Sequence, residues 1–220
     1  MIARDLYALR PGVAPLHERA CLLSIREAGT LTVPSGRVEI ADPIHLGQGF
    51  VASVPAGTWP VRLTIADVSE QLDGSHLRVA YLSIVFHDTP VARVEDVVPE
   101  GKPAPEPGCA YCVPVDCATV GLADADAAKH IDGLVYEVAS PWFDEYVFAD
   151  RNAQSAEEFV APQNVPMLDA QRGENYILSP SGWGDGSYFV YATRDAQGTL
   201  CGVHVDFAVV HDPHAEYNFD

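Results

Sequence analysis

The stretch "TWPVRLTIADVSEQLDGSHLRVAYLSIVF", Thr58 to Phe86, decides the architecture. Trp59, Val61, Leu63 and Ile65 alternate with Arg62 and Thr64, the period of a strand with one face against a core. His76 to Phe86 is apolar at both parities, as expected of a central strand covered on both faces. The polar link "SEQLDGS" between them reads as a hairpin tip.

Working outward, the same pattern recurs between Pro and Gly punctuation. Leu31 to Val33 and Arg37 to Ile40 flank "PSG", Phe50 to Val54 and Trp59 to Val68 flank "PAGT", and both are hairpin candidates. The tetrapeptide Val-Pro-x-Gly stands at Val33, Val54 and Val98, where Pro presets one central turn position and Gly closes the turn. Nothing around the copies matches, so a turn is reused and no repeat is implied. Tyr188 to Arg194, the turn "DAQG" and Leu200 to Val210 form a further hairpin candidate.

Helical signals are confined to the middle of the chain. After the Pro-rich segment 99–108, Asp124 is placed to cap a helix, with Asp126 in its first turn and Ile131, Leu134, Val135 and Val138 as an apolar stripe. Ser140 and Pro141 suit the start of a second helix. Residues 151–174 read as an irregular surface run, and 211–220 as a frayed tail. The expected fold is α+β, mostly antiparallel, sandwich-like or built on a strongly curved sheet, with one or two helices after the Pro-rich linker. Residues 1–220 are expected to form a single domain, with 99–108 as the place where it could divide.

Charge bounds the partners. Asp and Glu outnumber Lys and Arg by 31 to 13, a net charge of -18 that repels phosphate backbones and excludes nucleic acid. A basic protein partner is the complementary expectation. Arg4, Asp5 and Arg10 interrupt the N-terminal region where an export signal would need an apolar run, and no stretch reaches a membrane span, so a cytoplasmic location is expected.

Cys21, Cys109, Cys112, Cys117 and Cys201 make an odd set without an export signal, which speaks against a disulfide framework. Cys109-Ala-Tyr-Cys112 has the spacing of half a zinc site, yet no second pair completes it, and "CVPVDC" reads as a strand where a redox pair would open a helix. Neither a metal nor a cofactor is expected.

Candidate site residues gather around "SGWGDG", Ser181 to Gly186. Gly182, Gly184 and Gly186 have the density of a phosphate loop, but a strand follows where such a loop needs a helix, and Asp185 would repel phosphate. A backbone corner is the plain reading, with Trp183 anchored on the core. The functional reading keeps that geometry and turns Asp185 and the amides of Gly184 and Gly186 toward a ligand beside Trp183 and Tyr191.

His204 and Asp206 share one strand face. If the turn pairs Arg194 with Thr199, Phe189 opposes His204, Ser187 opposes Asp206, and Asp185 follows on the same face. That patch would hold the minimum for acid and base work, whereas its plain reading is an acidic, solvated sheet face with a hydrogen-bonded histidine. Asp116 lies in an otherwise apolar stretch and would need a donor or a cation if buried.

Three segments, "VPSGRVEIADP" with "VPAGTWPVRLTIADV", "PVDCATVGLADADA" and "SGWGDGSYFVYATRDAQGTLCGVHVDF", together resemble the bacterial family called domain of unknown function 4241. The likeness runs from about Leu31 to Val210, and its most specific part is Ser-Gly-Trp-Gly-Asp-Gly with Asp206-Phe207. Where the family tends toward Val-Asp-Ala-Gly, Cys117 and Ala118 stand here. The resemblance implies no activity and points to Asp116, Trp183, Asp185 and Asp206. Two functions follow as expectations. One is a non-catalytic binding or protein-interaction module with an acidic surface. The other is a hydrolase-like or metal-assisted enzyme using Asp116, Asp185, His204 and Asp206.

Overall fold

Residues 6–16, 19–134, 136–147 and 155–210 are described by a computed structural model. In chain order the strands are β1 (Gly12–Leu16), β2 (Arg19–Val33), β3 (Arg37–Ala41), β4 (Phe50–Ser53), β5 (Gly57–Asp67), β6 (Leu77–Val85), β7 (Arg93–Asp96), β8 (Cys112–Val115), β9 (Thr119–Asp124), β10 (Gln163–Pro166), β11 (Asn175–Pro180), β12 (Gly186–Arg194) and β13 (Leu200–Asp206). Helices α1 (Ala125–Asp132), α2 (Tyr136–Trp142) and α3 (Ala156–Phe159) fall between β9 and β10. The fold is α+β with mostly antiparallel strands and a strongly curled main sheet.

The main sheet has the order β1-β2-β5-β6-β13-β12-β7, with β8 pairing the other half of β12's outer edge. The second sheet has the order β10-β11-β9-β3-β4. Its two faces bury different partners, as strand alternation requires. Val38, Ile40, Val120, Leu122 and Ile177 join the core shared with the main sheet. Ala123, Tyr176 and Leu178 face a smaller core with Ile131 and Trp142 of the helices. The layers therefore run sheet, sheet, helices.

The β5–β6 hairpin stands as its alternation predicts. The Val-Pro-x-Gly segments at Val33 and Val54 do not make hairpins. β2 pairs β5 and β3 pairs β4, so "PSG" and "PAGT" lie side by side at a corner where one long two-stranded ribbon passes from the main sheet to the second. The Val54 amide donates to the Gly36 carbonyl at 2.9 Å, which joins the two corners. Pro34 and Pro55 lack the amides that a continuous ladder uses, and Gly36 turns at φ +72°, so both strands break at one level.

Asp124 caps α1 as expected, accepting the amides of Asp126 and Ala127 at 3.0 and 3.2 Å. The expected stripe ends early, because α1 stops at Gly133 and Val138 is 48% exposed on the next helix. Val135 lies outside the described residues. Ser140 caps nothing. α2 starts at Tyr136, carries Pro141 inside it and widens into a π-helical turn at Phe143–Val147, where proline cannot supply an amide. Within 151–174, α3 and β10 interrupt the expected irregular run, which holds over 167–174, and the expected tail at 211–220 lies outside the described residues. No helix among the described residues is long and apolar enough to cross a membrane.

Candidate functional site

The turn between β8 and β9 and the Ser181–Gly186 corner form one hydrogen-bonded unit. Its centre is Asp42, fully buried, whose Oδ2 accepts the amides of Asp116 at 2.6 Å and Cys117 at 2.8 Å. Its Oδ1 accepts the Ile44 amide and the Cys117 thiol, both at 2.9 Å. Burial alone would raise the Asp42 pKa, but these donors outweigh it and hold the carboxylate below its ordinary range. The Cys117 thiol is pushed up to about 12 by burial and by its bond to the Asp42 carboxylate, so it is no nucleophile at neutral pH.

Ala118 follows at φ +53°, the left-handed region that favours glycine. Its amide donates to Asp185 Oδ1 at 3.0 Å, and its carbonyl accepts the Ser181 amide at 3.1 Å. Within the corner, Ser181 Oγ donates to the Gly184 carbonyl at 2.7 Å. The Tyr188 hydroxyl reaches the carbonyls of Ser181 and Gly184 at 2.9 and 2.6 Å. Gly182, at φ +62°, lies so close to β13's exit that an added Cβ would stand 2.9 Å from Phe207 Cβ.

Trp183 does not anchor this corner. It is 53% exposed and lies against the His76 ring and the Arg78 guanidinium, while buried Tyr188 ties the loop down from beneath. Asp116 also differs from expectation. It lies just past β8, exposed, with Oδ2 at 3.9 Å from His45 Nε2, so it needs no buried partner.

The second group lies on the β12–β13 hairpin. Tyr191, not Phe189, opposes His204, and Phe189 opposes Asp206. The turn closes one residue later than expected, with Asp195 opposite Thr199, and a bulge leaves Cys201 unpaired between Thr193 and Arg194. The two single-residue shifts add to two, so His204 and Asp206 keep the expected face.

That face is not solvated at His204, which is 2% exposed. Its Nδ1 lies 2.9 Å from Ser83 Oγ and its Nε2 2.9 Å from Thr193 Oγ1. Burial lowers its pKa to about 4, and the ring is neutral at pH 7. Above it, residues 6–10 cross the sheet, with the Leu9 amide donating to Thr64 Oγ1 at 2.9 Å. They roof a cavity of about 310 Å³ lined by His204, Thr193, Cys201, Thr89, Arg62 and Leu6 among others. Asp206 is half-buried and accepts the Ala208 amide at 2.9 Å.

Asp116 and Asp185, with the amides between them, are thus brought together, and so are Tyr191, His204 and Asp206. His204 stays apart from the first set, because it opposes Tyr191, six positions from Asp185 along an extended strand, about 20 Å at roughly 3.3 Å per residue, whereas Asp206 opposes Phe189, nearer the corner. Gly184 and Gly186 stay with the first set, and among the described residues no three His, Cys, Asp or Glu side chains are placed to hold a metal ion.

Sequence reasoning missed Asp42, Ser83, Thr193 and Tyr188. Asp42 had one local signal, since an Asp directly before Pro43 suits a turn that accepts the amide two residues on. The other partners carry no local signal.

No curated protein and no solved structure matches the chain. Residues 31–205, which hold Asp42, the β8–β9 turn, the glycine corner and His204, match a family described as "Protein of unknown function (DUF4241)". By this match over most of its length, the chain belongs to that family.

Proposed function

We propose that the protein is a non-catalytic, protein-interaction module, single-domain and cytoplasmic, whose acidic exterior receives a basic partner. One observation carries this reading: the polar groups that could do chemistry already hold the fold. Asp42 and Asp185 accept backbone amides, the Cys117 thiol is bound to Asp42, and His204 is neutral between two hydroxyls. The net charge of -18 supplies the field that would attract a basic surface. A core cluster drawing on Leu31 to Phe86 and again on Val113 to Val210, both sides of the Pro-rich segment, supports one domain.

The test is binding to an immobilised basic protein measured across ionic strength. A steep fall in affinity between 50 and 300 mM salt is expected, and a salt-independent interaction overturns the reading.

A second reading, a small-molecule enzyme, is favoured by the cavity beside His204. In that reading His204 and Asp206 act with Thr193, and Asp116 with Asp185 belongs to a separate subsite. Turnover of any ester or phosphoester that disappears in Asp206→Asn at unchanged melting temperature would establish it over the first.

A further inference from the structure

Two exposed aromatic side chains among the described residues lie together. Phe159 is 44% and Trp183 53% exposed, and both stack on one guanidinium. Arg78 Cζ lies 4.7 Å from the Phe159 ring centre and 5.2 Å from that of Trp183, so each ring covers part of a single cation. The His76 ring meets Trp183 edge-on at 6.1 Å. Arg19, on the same side, is close enough for its charge to act on His76.

Arg78 is also short of partners. Arg26, Arg37, Arg62, Arg93, Arg172 and Arg194 each pair with Asp or Glu. Arg78 has no carboxylate among the described residues. Its Nη1 donates to the Leu77 carbonyl at 2.8 Å, and its Nε is buried without an acceptor. The nearby carboxylate, Asp67, accepts from the Ser69 amide and hydroxyl and from the Gly74 amide. A cation on β6, flanked by two exposed rings and without a carboxylate among the described residues, has the composition of an interface anchor.

We propose that the Trp183–Arg78–Phe159 stack, with His76 and Arg19 beside it, is a docking site for a partner protein that presents a carboxylate next to an apolar side chain. The carboxylate meets the guanidinium rim, and the apolar group lies on the exposed rings. The centre of this patch is a guanidinium with no carboxylate among the described residues, so charge complementarity selects an acidic segment here. Screening over about 8 Å at physiological salt keeps the distant negative charges from deciding the contact. The site goes beyond the basic-partner reading and is separable from it.

The experiment titrates the ¹⁵N-labelled full chain with acetyl-Leu-Glu-Leu-Glu-amide and with acetyl-Leu-Gln-Leu-Gln-amide, following the Trp183 indole N–H. The acidic peptide is expected to shift that resonance saturably and to bind about tenfold more tightly than the neutral one. Arg78→Gln and, by calorimetry, Trp183→Ala should each weaken it about tenfold while binding to a basic protein is unchanged. Trp183 is exposed, so that variant reports even if Arg78→Gln does not fold. Equal binding of the two peptides, or unaltered binding in the variants, overturns the proposal. So does self-association abolished by Arg78→Gln without any peptide response, which would make the occupant a second copy of this chain.

Discussion

Asp42 grips Cys117 twice, taking its amide on Oδ2 at 2.8 Å and its thiol on Oδ1 at 2.9 Å. The two residues are 75 positions apart, and the contact ties the turn before β9 to the end of β3.

Thiol reactivity should report this contact. Cys109 and Cys112 are exposed, whereas the Cys117 pKa is pushed up to about 12. Iodoacetamide at pH 8, followed by peptide mass mapping, should label the first two and spare Cys117. Asp42→Asn removes the charge that raises the thiol pKa and leaves buried amides short of an acceptor. Faster labelling of Cys117 and a stability loss of about 2–4 kcal/mol are expected.

The glycine corner offers a comparison between two aromatics. Tyr188→Phe removes the hydroxyl that serves the Ser181 and Gly184 carbonyls and should cost about 1–2 kcal/mol by urea unfolding. Trp183→Ala, at an exposed ring, should change stability by less than about 0.5 kcal/mol. A reversed ranking would mean that the tryptophan is the anchor after all.

Ala118 holds a left-handed conformation at φ +53° with its amide and carbonyl both engaged. Ala118→Gly relieves that strain and adds flexibility to the unfolded chain, for a net gain of about 0.5–1 kcal/mol. A melting temperature that rises by a few degrees meets this expectation, and a fall contradicts it.

Two buried groups give opposite pH slopes. Burial raises Glu39 to about 7, so its contribution is favourable below its unfolded pKa and declines as pH climbs from 4.5 to 7. Burial lowers His204 to about 4, so its contribution is present above 6.5 and is lost as pH falls toward 4. Each change amounts to about 3.5 kcal/mol at ~1.4 kcal/mol per pH unit, and the two offset one another between pH 4.5 and 6.5. Glu39→Gln removes one side of this balance. In that variant, unfolding free energy should rise through the interval by up to about 3 kcal/mol, while the parent chain stays nearly level.

How much of this was readable depended on the range of the interactions. The β5–β6 and β12–β13 hairpins and the Asp124 cap follow from residues adjacent in the chain, and all three stand. The first half of β2 alternates at Cys21, Leu23 and Ile25, a strand period also present in the residue types themselves. The hairpin register moved by two because neither the Asp195–Thr199 closure nor the bulge at Cys201 can be seen in residue types. The site suffered most: Asp116 and Asp185 met at a shared turn, but Asp42, which organises that turn, stood far upstream without a recognisable motif.

By itself the sequence determined the strand periods, the acidic field, the α1 cap and the glycine corner, because each depends on side chains within a few residues or on totals over the whole chain. The tertiary structure alone decided that two Val-Pro-x-Gly turns make a sheet-crossing corner, that His204 is neutral under residues 6–10, and that Arg78 lies between Trp183 and Phe159. Those outcomes depend on which distant groups share a volume, and burial, pKa and stacking exist only once that sharing is settled.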